Sequence, residues 1–213
     1  EGDVDVSNET LTKYSHDASI FEVRPEIVVY PKSSKDIQAL VRFVQEHKPG
    51  MAKLSLTMRA AGTCMSGGSI NESIIVDTSR YMNKIISVEN DYAVVEPGCF
   101  YRDFEKATLE KGLITPTYPA SKELCAVGGM VGNNAGGEKS ISYGKVENWV
   151  KELKVVFRDG YEYTIKPITK KELLQKITEQ TLEGGIYKEL YKIITENSSL
   201  IKAGKPQVSK NSA

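Results

Sequence analysis

Arg59-Ala60-Ala61-Gly62-Thr63-Cys64-Met65-Ser66-Gly67-Gly68-Ser69, in which every residue from Ala60 onward is small except Met65, decides how this chain is read. With so little side chain in the way, the backbone can approach a ligand closely. Its N–H groups can then converge into an anion-binding nest suited to a pyrophosphate. The glycine spacing from Gly62 to Gly67 matches a Walker A loop, but Gly68 stands where that motif's phosphate-binding lysine belongs. An ATP or GTP hydrolase is therefore disfavoured. A second stretch, Ala126-Val127-Gly128-Gly129-Met130-Val131-Gly132-Asn133-Asn134-Ala135-Gly136-Gly137, holds five glycines and no charge in twelve residues, with Tyr143-Gly144 just downstream. Neither stretch has the G-x-G-x-x-G spacing of a nicotinamide-binding Rossmann unit.

The second stretch predicts a nearly side-chain-free wall against which a flat ring can lie, with the amides of Asn133 and Asn134 facing the ring's heteroatoms. Each stretch also has a plainer reading: a flexible surface turn for the first, tight helix packing through glycine for the second. A cofactor with a pyrophosphate at one end and a polar aromatic ring at the other would use both stretches, and FAD is the common molecule of that description.

Outward from the loops, the β-branched run Glu26-Ile27-Val28-Val29-Tyr30-Pro31 predicts a strand, and the Ser33 and Ser34 hydroxyls can cap a following helix. Ile37, Leu40, Val41 and Val44 form one apolar stripe on a helix over 34–47, stopped by Pro49-Gly50. A strand near Lys53 to Thr57 leads into the first loop, and another follows at Ile74 to Asp77. A hairpin is expected from runs 85–88 and 92–95, then a helix bearing Phe100, Phe104 and Ala107 and ended by Gly112. A second hairpin, 153–157 with 161–165, turns at Asp159-Gly160. Thr169-Lys170-Lys171-Glu172 is a capping box, and Ile186, Leu190, Ile193 and Ile194 mark a later helix. The expected division is an α/β lobe over 1–80, an α+β lobe over 81–167 and a helical extension over 168–213. No internal repeat is seen.

The 213 residues carry 28 lysines and arginines against 28 aspartates and glutamates, so any anionic ligand must be held by local geometry rather than by net charge. Basic residues are dispersed and not interleaved with aromatics, which speaks against nucleic acid. Apolar runs such as Ile74-Ile75-Val76 are too short for a membrane span and no signal peptide is visible, so a cytoplasmic protein is expected. Cys64, Cys99 and Cys125 are an odd and uneven set, expected as free thiols. His47 is expected at a solvated helix end, and His16 beside Asp17 in a structural role. No metal site is expected.

At these loops the sequence resembles the FAD-linked oxidases of the vanillyl-alcohol oxidase and p-cresol methylhydroxylase family, particularly its D-lactate dehydrogenase and glycolate oxidase branch. The resemblance runs from about Tyr14 to Ile165. It passes through Tyr14-Ser15-His16-Asp17, Arg24-Pro25, Val28-Val29-Tyr30-Pro31, the Arg59 to Gly68 loop, Val95-Glu96-Pro97-Gly98, Val127-Gly128-Gly129, Asn134-Ala135-Gly136-Gly137, Tyr143-Gly144 and Asp159-Gly160. It implies an α+β, two-lobed FAD-binding domain of the p-cresol methylhydroxylase type. Arg59, Ala60, Ala61, Gly62, Thr63, Cys64, Met65, Ser66 and Gly67 would then form the pyrophosphate loop. Val127, Gly128, Gly129, Asn133, Asn134, Ala135, Gly136 and Gly137 would line the rest of a non-covalent FAD, with Pro119, Ala120 and Ser121 nearby. Cys64 and Cys125 are expected as small packing residues rather than flavin attachment points.

The resemblance also implies an activity: a 2-hydroxy acid gives its hydroxyl proton to a base and its α-hydride to the flavin, which passes electrons on to an acceptor, an electron-acceptor protein among the candidates. Neither the base nor a substrate cap domain is identified in these residues, and the family's closing Gly-Ser-Glu/Gln-Gly-Thr-Leu-Gly segment does not occur in 166–213. The expectation is a domain truncated before its last segment and its cap, inactive alone, with an apolar sheet edge prone to self-association. Two other readings stay open. One is a reductase of the cell-wall precursor pathway, which shares the fold but whose substrate domain finds no match here. The other is a non-catalytic two-lobed module with a vestigial nucleotide site.

Overall fold

The computed structural model describes residues 1–205. Its N-terminal part contains strand β1 (Asp3–Asp5), helix α1 (Asn8–Tyr14), β2 (Ile27–Tyr30), α2 (Ser34–His47), β3 (Leu56–Arg59) and β4 (Ile74–Asp77). The strands form one sheet in the order β1-β2-β4-β3, with β4 parallel to both β2 and β3 and β1 antiparallel at the edge. Every residue of β4 is buried, as a near-continuous apolar run in the middle of a parallel sheet should be. Strand alternation divides the core in two. Val28, Tyr30 and Ile75 pack with Leu11 and Tyr14 of α1. Val29, Ile74 and Val76 face Leu54, with Leu40 and Val44 of α2 packed on that side.

Two expectations for this region need correction. The strand leading into the first loop lies at Leu56–Arg59, not Lys53 to Thr57. Residues 51–54 close a turn through Leu54 N–H to Met51 O (2.9 Å), and pairing with β4 fixes the strand's register from Leu56↔Ile74 to Arg59↔Asp77. Ser33 is the α2 N-cap but makes no side-chain cap bond. The Asp36 carboxylate instead accepts from the Lys32 N–H at 2.8 Å, holding the entry to the helix.

Further along come β5 (Ile85–Val88), β6 (Ala93–Val95), α3 (Tyr101–Leu109), α4 (Val127–Gly132), α5 (Ser140–Tyr143), a 3-10 turn at Val146–Trp149, β7 (Leu153–Val156) and β8 (Glu162–Ile165). β5–β6 and β7–β8 are separate antiparallel hairpins. Tyr101, Cys125, Met130, Ala135 and Val146 make the core here, joined by Phe104, Tyr118, Val131 and Val150. The Asp159-Gly160 turn has the expected positive φ at Gly160 (75°) and docks on α2, where Arg42 donates to the Gly160 carbonyl at 2.7 Å.

The chain then forms α6 (Lys170–Lys176), opened by the expected Thr169/Glu172 capping box, α7 (Leu182–Glu196) and α8 (Ser198–Gly204). Leu190, Ile193 and Ile194 do lie on a helix, but their stripe is exposed rather than buried. α7 is held at its N-terminal end, where Lys176 bridges to Glu183 at 2.8 Å and Gly184 lies against the Glu179 backbone. The last residues, 206–213, of the expected extension lie outside the described residues.

Candidate functional site

Both small-residue stretches reach the same place. A Cβ built on Gly129, which is exposed near the start of α4, would stand 3.6 Å from the Ala60 Cβ at the exit of β3. The first loop leaves the buried parallel sheet where Asp77, at the end of β4, accepts from the Tyr14 hydroxyl at 2.8 Å and from the Ser79 N–H at 2.7 Å. Burial, then a hydrogen bond with Tyr30 and the Asp77 charge, raises the Tyr14 phenol above its usual pKa, so it stays a donor. Gly62 takes φ 68°, a conformation open to glycine at little cost. Among the described residues, the N–H groups of Ala61, Gly62, Thr63, Met65 and Gly67 donate to no backbone carbonyl. These are the bare donors an anionic group requires.

Arg59 is engaged by the chain itself. Its guanidinium donates to the carbonyls of His16 (2.8 Å) and Ser69 (3.4 Å), and its Cζ lies 5.0 Å above the Tyr14 ring. Cys64 is half-exposed with Sγ 3.2 Å from Ser66 Oγ, whereas Cys99 and Cys125 are buried. The packing role expected of both loop-side cysteines holds for Cys125 alone. Hydrogen bonds from the Ser66 side chain and backbone lower the Cys64 pKa, whereas burial pushes Cys99 up to about 11 and raises Cys125. Met65 is exposed at the loop's tip.

The second stretch is not an open wall along its whole length. Val127–Gly132 winds into α4, and Gly128 is pressed on the preceding segment, where a Cβ would stand 2.6 Å from Pro97 Cβ and 2.7 Å from Pro97 O. A Gly137 Cβ would run into the Tyr118 carbonyl oxygen, and one on Gly136 would lie 2.6 Å from Ser140 Oγ. The plainer reading, packing through glycine, thus describes Gly128, Gly136 and Gly137, while Gly129, Gly132 and Asn133 stay exposed. Ala135 is buried in the core behind them. Asn134 departs from expectation: its side-chain oxygen accepts from the Glu147 N–H at 3.0 Å, so that end of the amide is committed inside the chain. Its φ of 44° places it at the turn leaving α4. Pro119 and Ser121 anchor the segment facing Gly137, accepting from the N–H groups of Lys122 (3.0 Å) and of Leu124 and Cys125 (both 2.8 Å), with exposed Ala120 between them.

Thr117 was not reachable from sequence reasoning. It is fully buried, and its Oγ1 is the one buried side-chain polar atom without a hydrogen-bond partner among the described residues. Its setting, Pro116-Thr117-Tyr118-Pro119, gave no signal beyond a polar residue between prolines. His47 sits at the exposed end of α2 stacked on Phe43 (4.3 Å), and His16 lies 3.5 Å from Glu22. No group of three or more His, Cys, Asp or Glu able to hold a metal occurs among the described residues. No helix there is long and apolar enough to cross a membrane. A cleft of about 420 Å³ adjoins the second stretch at Val131 and Asn134 and runs along Leu153 and Ile165 of the β7–β8 hairpin.

Residues 25–166 match the family model described as FAD binding domain. A D-2-hydroxyglutarate dehydrogenase of Pantoea ananatis is 28% identical over 211 residues, covering 98% of this chain and 20% of its own length. A D-lactate dehydrogenase of Archaeoglobus fulgidus is 31% identical over 136 residues, 63% of this chain and 29% of the relative. The glycolate oxidase subunit GlcD of Bacillus subtilis is 31% identical over 160 residues, 73% of this chain and 33% of the relative. The chain thus spans between a fifth and a third of the length of these curated relatives. An alkyldihydroxyacetonephosphate synthase structure superposes with a TM-score of 0.65 at 19% identity, over 78% of this chain and 35% of that one, which establishes a shared fold.

Proposed function

The chain belongs to the FAD binding domain family, and on that premise we propose that it is the cofactor-holding part of a flavin-dependent dehydrogenase or oxidase acting on a 2-hydroxy acid. The relatives named above act, by their names, on D-2-hydroxyglutarate, D-lactate and glycolate, which share a hydroxyl on the carbon beside a carboxylate. The observation that supports the reading most is the abutment of Gly129 on Ala60, which brings two small-residue stretches distant in sequence side by side. In this reading residues 1–80 and 81–167 are the lobes on either side of the dinucleotide. The free N–H groups of residues 61–67 bind the pyrophosphate, and the exposed α4 face at Gly129, Gly132 and Asn133 supports the ring end. Bound FAD supplies the two-electron acceptor. The substrate's proton is taken by a base outside these residues, and electrons leave to an acceptor protein. A cytoplasmic location belongs to the same proposal.

The direct test is titration of the purified chain with FAD, followed by quenching of flavin fluorescence and by alkylation of Cys64. Saturable one-to-one binding is expected, and bound FAD should slow Cys64 alkylation at the loop it covers while Cys99 and Cys125 stay slow throughout. No saturable binding up to high micromolar FAD, by this chain and by a longer chain that contains it, would remove the reading.

The orphaned Thr117 hydroxyl is a cost the fold carries in its interior. A buried hydroxyl without a hydrogen bond costs roughly 1–3 kcal/mol, and an apolar group of the same shape removes that cost. Thr117→Val is therefore expected to raise the melting temperature of the cofactor-free chain by a few degrees and to leave FAD affinity unchanged, since a fully buried hydroxyl does not reach a ligand. A lower melting temperature in Thr117→Val would show instead that the hydroxyl has a partner inside the fold.

A further inference from the structure

We infer that Arg59 is a positioning residue for the pyrophosphate loop, acting by clamping that loop to a strap formed by residues 16–21, which precede the family-matched region. The inference rests on the proposed cofactor site and adds to it a device that shapes the site.

The strap is closed on itself. Val23 N–H donates to Ser15 O at 2.9 Å, His16 pairs with Glu22 in an isolated antiparallel bridge, and Asp17 accepts from the Ser19 N–H at 2.8 Å. From this closed turn four contacts reach the glycine-rich loop, one at each part of it. Ala18 N–H donates to Gly62 O at 3.2 Å, at the loop's first bend. Phe21 Cδ2 stands 3.1 Å from where a Gly67 Cβ would sit, at its second. Ser69 Oγ donates to Asp17 Oδ2 at 3.1 Å, at the loop's end. Arg59, at the loop's start, donates to His16 O on the strap and Ser69 O on the far end of the loop.

The guanidinium thus ties start, end and strap together. It also fills the space under the first bend: a Cβ on Gly62 would meet its Cζ at 2.7 Å and its Nε at 2.9 Å. A loop of small residues with backbone N–H groups left unbonded has little of its own to hold a shape. Preorganisation of those donors must come from neighbours, and the strap and Arg59 touch the loop at its start, both bends and its end. A planar fork reaching two carbonyls while stacked on a ring is a role that lysine cannot reproduce.

The test compares Arg59→Gln, Arg59→Lys and Ser69→Ala with the unaltered chain in two measurements. The first is the alkylation rate of Cys64 without cofactor, which reads loop order alone. The second is FAD affinity. If Arg59 positions the loop, Arg59→Gln and Arg59→Lys should both speed Cys64 alkylation several-fold and weaken FAD by roughly tenfold. Ser69→Ala, which cannot touch a phosphate's place through charge, should shift both in the same direction, and the Arg59→Gln/Ser69→Ala double variant should fall short of the sum. A direct phosphate contact predicts otherwise: Cys64 unchanged in the cofactor-free chain, FAD weakened by Arg59→Gln and largely restored in Arg59→Lys. That result would overturn the inference. Should the unaltered chain bind no FAD, the proposed function fails while the Cys64 measurement still decides whether Arg59 orders the loop. Far-UV circular dichroism confirms that each variant remains folded, and Ser69→Ala carries the test if the Arg59 variants do not.

Discussion

Gly137→Ala is expected to lower the melting temperature by roughly 6 °C or more, whereas Gly132→Ala, five positions earlier in the same stretch, is expected to leave it unchanged or raise it slightly. The contrast follows from what a methyl group would meet. At Gly137 it would be driven into the Tyr118 carbonyl oxygen, with Tyr118 C at 3.2 Å and Pro119 Cα at 3.3 Å behind it. These are backbone atoms, fixed by the turn that Pro119 and Ser121 anchor, and no side-chain rotation relieves the overlap. Overpacking of this kind costs about 1–3 kcal/mol where neighbours can shift and more where they cannot. At Gly132, on the last turn of α4, nothing lies within 4 Å, and alanine there gains helix propensity of about 0.5–1 kcal/mol. Thermal melts by circular dichroism read both. Equal melting temperatures for the two variants would mean that the Tyr118–Pro119 segment does not rest on Gly137.

That pair of glycines also shows what the sequence could and could not convey. Period and punctuation were enough for α2, for the Asp159-Gly160 hairpin and for the Thr169 capping box, because each is set by residues within a few positions of one another. Where a partner distant in sequence decides, local reading slipped. β3 begins at Leu56, where Ile74 pairs with it, rather than near Lys53. The apolar stripe of α7 has the right period and no core against it among the described residues, since period reports a face and not its partner. For the candidate site, the two glycine-rich stretches were visible as small residues, but composition cannot separate glycines that clear a ligand's path from those that let two backbones touch. Gly129 and Gly132 are exposed, while Gly128 and Gly137 lie against Pro97 and Tyr118. The Asn134 amide looked available and is half spent on the Glu147 N–H. Nor did the sequence show that the Arg59 guanidinium donates to the carbonyls of residues 16 and 69, contacts that only the folded chain creates.

Gly129→Leu is expected to reduce FAD affinity more than a hundredfold while the chain melts at or slightly above its usual temperature. An alanine at this position would meet Ala60 Cβ at 3.6 Å, an ordinary van der Waals contact, so the backbone tolerates a Cβ without strain. Leucine carries three more carbons from an exposed position beside Ala60, over the surface that the two glycine-rich stretches share and on which a dinucleotide would rest. The fold loses nothing by this, because leucine is a better helix former than glycine and α4 already runs through the site. A ligand that must lie flat on bare backbone loses its place, and tight sites are unforgiving of added volume. Flavin fluorescence titration alongside a thermal melt separates the two effects. Gly129→Ala provides the intermediate point, with affinity reduced only several-fold. The same pair of measurements distinguishes a flavin site from a scaffold whose nucleotide site is vestigial, since a scaffold would show no FAD binding to lose and an unaltered melt. If Gly129→Leu binds FAD as tightly as the unaltered chain, the cofactor does not lie on the surface shared by Ala60 and α4. The site would then have to be sought elsewhere, beginning with the cleft along Leu153 and Ile165.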